Sequence, residues 1–138
     1  MYKDTVTVFN RRRRNGTDTW YPTVLENVDL NVDSAAIRQR YGAETKDRAK
    51  LHVMYAPGIV IAGKQYYLPK EWDGDGITFH DGDLFDFFWA GTWTGATVND
   101  EDYKDGFFNY MKKNHDMVFA ITSVARYSVI PHFEIMGA

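Results

Sequence analysis

Apolar and polar positions alternate over most of this chain, and the alternation predicts strands. Residues 4–9 are rich in β-branched types, with Val6 and Val8 on one face. Asn15-Gly16, a dipeptide suited to positive φ, separates them from a second β run at 20–25. The two runs read as a hairpin with Arg11, Arg12, Arg13 and Arg14 at its tip. Pro22 removes one ladder donor and places the second strand at an edge or a bulge. Val28, Leu30 and Val32 alternate with Asp29, Asn31 and Asp33, and Leu51, Val53 and Tyr55 repeat the pattern. Residues 59–62 and 66–68 flank a tight turn at Gly63-Lys64, and 77–80 form a short strand. Phe85, Phe87, Trp89 and Trp93 share one parity of a strand over 84–93, with Asp86, Ala90 and Thr92 on the other. Two apolar strands, 117–124 and 129–135, close the chain.

Two segments carry helix signals. Asp33-Ser34 caps a short helix near 34–41 that Gly42 ends, followed by a polar, exposed loop over 43–48. Asn99 or Asp100 caps a longer helix over about 100–113, with Tyr103, Phe107, Tyr110 and Met111 on one stripe and Lys112-Lys113 in the last turn. The fold expected is mainly β: a small β-barrel or sandwich of about seven or eight short strands with one packed α-helix. No repeat or linker divides the chain, so residues 1–138 form a single domain.

Charge is placed unevenly. The formal net charge is -3, yet Arg11 to Arg14 is an unbroken basic run, which leaves the remainder at -7. From Asp73 to Asp105 nine acids face a single lysine, Lys104. Such asymmetry suits head-to-tail contacts between copies or a basic rim facing a polyanion, as well as plain solvation. The loop between the Val32 and Leu51 strands is also basic, and Arg38, Arg40, Tyr41, Lys46 and Arg48 make it an expected interaction arm. The absence of cysteine rules out disulfides, thiol nucleophiles and cysteine-ligated metals. No run approaches the roughly 18 apolar residues of a membrane span, and the N-terminus lacks the apolar core of a signal peptide, so synthesis in the cytoplasm is expected.

Chemistry is sparse. His52, His80, His115 and His132 show no H-E-x-x-H or H-x-H spacing, and no nucleophile elbow or phosphate loop occurs. Asp73-Gly74-Asp75-Gly76 resembles the start of a calcium loop, but Leu84 stands where its bidentate glutamate belongs. A looser cation site at Asp73, Asp75, Asp81 and Asp83 competes with simple turn formation. Asn15-Gly16-Thr17 matches a glycosylation sequon and is read as turn chemistry. Carboxylates and tryptophans on a β-scaffold leave two further readings open, a carbohydrate- or ligand-binding module and a small hydrolase. No cofactor or metal is expected, and no enzymatic activity.

Several segments in order then carry a likeness. Residues 2–10 (Tyr-Lys-Asp-Thr-Val-Thr-Val-Phe-Asn), 20–25 (Trp-Tyr-Pro-Thr-Val-Leu), Arg40-Tyr41-Gly42-Ala43-Glu44, residues 67–72 (Tyr-Leu-Pro-Lys-Glu-Trp), Gly82-Asp83 before the aromatic strand, and 128–135 resemble small structural proteins encoded in head–tail gene clusters of phages of Gram-positive bacteria. The plan also resembles head-closure, or head–tail connector, proteins of long-tailed phages. The resemblance implies a homo-oligomeric ring in the virion neck, between a portal or adaptor ring and a tail or tail-terminator ring. Double-stranded DNA would pass through it without sequence preference, and Arg11 to Arg14 would face DNA or a partner ring. It implies host cytoplasm as the place of assembly.

Overall fold

The computed structural model describes residues 2–33 and 48–138. The β-branched start forms β1 (Asp4–Arg14), which runs through all four arginines to the Asn15-Gly16 turn, where φ is 52° and 76°. Two consecutive positive φ values match the twist of a two-residue hairpin. The arginines are thus the end of a strand, and only Asn15-Gly16 makes the tip. β2 (Thr17–Val32) returns along β1, with pairs from Arg14↔Thr17 to Asp4↔Val28. The two apolar runs expected as separate strands are one bent strand. Asn27, at φ 57°, lies where the register shifts, and beyond it β2 leaves β1 to pair with β3 (Ala49–Met54).

The remaining elements are β4 (Val60–Ile61), β5 (Lys64–Gln65), β6 (Phe87–Trp89), β7 (Val98–Asn99), a 3-10 turn at Asp100–Asp102, α1 (Phe107–Asn114), β8 (Val118–Tyr127) and β9 (His132–Gly137). β1, β6, β8, β9, β3 and β2 pair in that order and β2 pairs back to β1, so the six close into a barrel. β7 is an extra strand on β2, and β4 and β5 form a separate hairpin. The choice between barrel and sandwich is settled by that closure, which leaves those six strands no free edges.

The barrel wall at β1 and β6 is buried on both faces. Val8 and Phe88 point inward to a core with Leu25, Leu51, Ile121 and Ile135. Phe9 and Phe87, the next residues along each strand, point outward to a second core with Trp20, Phe107, Met111 and Val118. α1 covers this outer aromatic face. Phe107 is wholly buried among Phe9, Phe87 and Trp93 rings at 5.1, 5.8 and 5.3 Å.

Several expected elements are shorter. The helix over 100–113 is a 3-10 turn, a break and α1, because Gly106 adopts φ 90°, ψ 155°, a conformation that side chains oppose. Asp100 still serves the helix from outside it, its Oδ1 accepting the Phe107 N–H at 2.8 Å and the Trp20 indole N–H at 2.9 Å. Residues 77–80 make only a parallel bridge from Ile77 to Tyr66, although Ile77, Thr78 and Phe79 are buried. The strand over 84–93 pairs only at Phe87–Trp89, with Phe85 and Trp93 reaching the same aromatic core from flanking loops. Val129 and Ile130, expected in the last strand, sit exposed in the β8–β9 turn. The short helix near 34–41 and most of the 43–48 loop lie outside the described residues.

Candidate functional site

Strand alternation sorts the arginine run into two pairs. Arg11 and Arg13 project on the face that carries Asp18, directly opposite Arg13 in the ladder. Arg13 Nε donates to Asp18 Oδ1 at 2.7 Å, and Arg11 Nη1 donates to Oδ2 at 3.2 Å. Arg11 is further held by a bond from its Nε to the Phe85 carbonyl at 3.1 Å. Its guanidinium lies over the rings of Trp20 and Phe85, at 4.5 and 4.8 Å. Burial opposes charge on Asp18, but the bond from Arg13 and the charges of both arginines outweigh it and hold the carboxyl below its usual value.

Arg12 and Arg14 take the other face. Arg12 reaches the Tyr21 hydroxyl at 3.4 Å, and among the described residues neither cation has a carboxylate partner. The four arginines, with Trp72, Asp73, His80 and Leu84, line a cleft of about 400 Å³. The arginine run therefore divides: two are bound to Asp18 within the hairpin, and two have no carboxylate partner among the described residues.

The cleft stands on a buried network that alternation does not reveal. Asp86 is completely buried, and its two oxygens accept from Arg11 N–H at 2.7 Å, His80 N–H at 2.7 Å, Asn10 Nδ2 at 2.7 Å and His80 Nδ1 at 2.9 Å. Burial pushes the Asp86 carboxyl up, while the same burial acts against a His80 imidazolium that Asp86 favours. These tendencies compete for one proton, and the donors decide the contest. Three fixed donors, the Arg11 and His80 backbone N–H groups and the Asn10 amide, favour the charged carboxylate, and a proton on His80 Nδ1 adds a fourth. The His80 pKa is raised: burial lowers it, and the hydrogen bond and charge of Asp86, with the Pro69 carbonyl, more than offset that. The one sign of this in the sequence is an acid set inside an aromatic run, between Phe85 and Phe87.

Arg38, Arg40, Tyr41 and Lys46 lie outside the described residues. Arg48 is at the base of that loop, its N–H bonded to the Gly137 carbonyl at 2.7 Å and its carbonyl to the Asp33 N–H at 2.9 Å. Asp73, Asp75, Asp81 and Asp83 are exposed, and among the described residues they do not converge into a ligand set. Asp75 N–H bonds to Asp73 Oδ1, which is turn formation. None of the four tryptophans is exposed. Of the histidines, His80 belongs to the cleft, and His52 and His132 meet on the outer barrel face.

A family model described as a family of unknown function (DUF6751) matches residues 1–138. No curated protein and no solved structure matches the chain.

Proposed function

The chain belongs to the DUF6751 family, whose function is unknown, and from its own residues we propose that it is a structural subunit of a phage neck ring, a head-closure or head–tail connector protein. In this reading it joins a portal or adaptor ring to the tail and surrounds the DNA channel. The observation that carries the reading is the pair Arg12 and Arg14, two cations at the far end of a stiff hairpin with no carboxylate partner among the described residues. Phosphates are natural partners for such groups, because backbone contacts need charge and reach rather than base geometry. The order of sequence segments supplies the phage context. Exposed acids at Asp73, Asp75, Asp81, Asp83, Glu101, Asp102 and Asp105 offer the opposite sign that head-to-tail ring closure uses. The packed tryptophans weigh against a carbohydrate-binding face.

Electron microscopy tests this reading. Purified protein, alone and mixed with portal and adaptor, should give closed rings with a central channel, and antibody against it should label the neck of purified virions. Virions that lack the protein would overturn the reading.

A further inference from the structure

On the outer face of the barrel, opposite the core residues of the same strands, the ladder register builds one row across three strands. Asp29 of β2 pairs with His52 of β3, and His52 pairs with Glu134 of β9. His132 lies two residues before Glu134, on the same face of β9. Leu51, Val53, Phe133 and Ile135 fill the inner face of these strands, so the backbone beneath the row is held by the core. We propose that His52, His132 and Glu134 bind a divalent transition-metal ion, zinc in the first instance, with Asp29 as a second-layer partner.

The distances favour an ion over a direct contact. Glu134 Oε2 is 3.5 Å from His52 Nε2 and 3.6 Å from His132 Nε2, and one ligand atom from each residue falls within 4.8 Å of the others. Those separations exceed the roughly 2.7–3.2 Å of an N–H···O bond. Two ligands each about 2.0–2.1 Å from a tetrahedral zinc stand roughly 3.3–3.4 Å apart, close to what is observed.

Hydrogen bonding sets the ring nitrogens to match. His132 Nδ1 is 2.7 Å from the Ile130 carbonyl, which only accepts, so Nδ1 carries a proton. In the neutral ring, Nε2 then presents a lone pair to a carboxylate, an opposition that a cation between them relieves. Among the described residues His52 Nδ1 is buried without a hydrogen bond, and Asp29 Oδ2 lies 3.7 Å from it. A proton on that nitrogen faces Asp29 and leaves the Nε2 lone pair toward Glu134, the carboxylate–histidine–metal order common in such sites. Tyr127 stacks on His132 at 4.9 Å and Tyr2 meets the edge of His52 at 6.5 Å, which orients both rings. Imidazole donors select zinc, cobalt, nickel or copper over calcium or magnesium. The three side chains are 17–28% exposed, so an ion can enter and a fourth position stays open.

Titration of the full chain with zinc chloride by calorimetry, with the imidazole nitrogen resonances followed by NMR, tests the site. We expect one zinc per chain, with the Nε2 resonances of His52 and His132 shifting and those of His115 unmoved. His132→Ala and Glu134→Gln should abolish saturable binding, and Asp29→Asn should weaken it about tenfold. Cobalt in place of zinc should give the visible absorption of a four-coordinate ion. Absence of saturable binding to the wild-type chain, or binding that persists in folded His132→Ala, would overturn the proposal and leave the cluster a histidine–carboxylate ion pair.

Discussion

A carboxylate sealed inside a barrel wall needs donors for both oxygens, and Asp86 finds them in two backbone N–H groups, an asparagine amide and the His80 ring. Removing one member of a buried pair leaves the others uncompensated, at a cost of about 3–5 kcal/mol. Asp86→Asn should lose stability in that range in urea unfolding. The pH dependence follows from the raised His80 pKa. A raised folded value contributes stability that is complete below the unfolded pKa, about 6.5, and is lost as pH rises through the folded value. Wild-type stability should therefore decline above about pH 6.5, and Asp86→Asn should flatten that decline. A His80 NMR titration midpoint below 6.5 would contradict the assignment. Alternation puts Asp86 opposite Phe85 and Phe87, which is correct. It misleads about exposure, because that second face of β6 looks into the barrel rather than into water.

At the scale of elements, the β1–β2 hairpin serves two purposes with one run of residues. Arg11 is only 12% exposed and helps keep Asp18 satisfied, whereas Arg14 is exposed. Arg11→Ser should destabilise by about 1–3 kcal/mol, since it removes donors from a buried carboxylate and a cation from two rings. Arg12→Ser with Arg14→Ser should stay within about 0.5 kcal/mol of wild type in the same assay. Equal effects of the two changes would show that the division is wrong. Local chemistry makes the hairpin legible, because Asn15-Gly16 dictates its turn. The length of the helix is not legible in that way. Acids at 100–105 and the stripe through Phe107 are compatible with one continuous helix, and the break appears only where Gly106 takes φ 90° and Asp100 caps from a distance.

For the whole molecule, the mainly β class and the presence of a packed helix follow from period and propensity. Closure does not, because it depends on β1 meeting β6 some eighty residues later and on the bend at Asn27 that lets β2 serve two neighbours. Likewise the histidines at 52 and 132 show no motif spacing, since the register of β3 on β9 is what brings them together. Charge is the property most plainly read from the sequence. The barrel turns it into geometry by setting two arginines on Asp18 and leaving two without a carboxylate partner among the described residues. Their role is measured most directly by the salt dependence of binding to random-sequence duplex DNA, for wild type and for Arg12→Ser with Arg14→Ser. We expect the logarithm of affinity to fall linearly with the logarithm of salt, and the double variant to bind more weakly with a slope smaller by about two per subunit, one for each lost phosphate contact. Equal affinity and equal slope for the two proteins would contradict a DNA-facing hairpin.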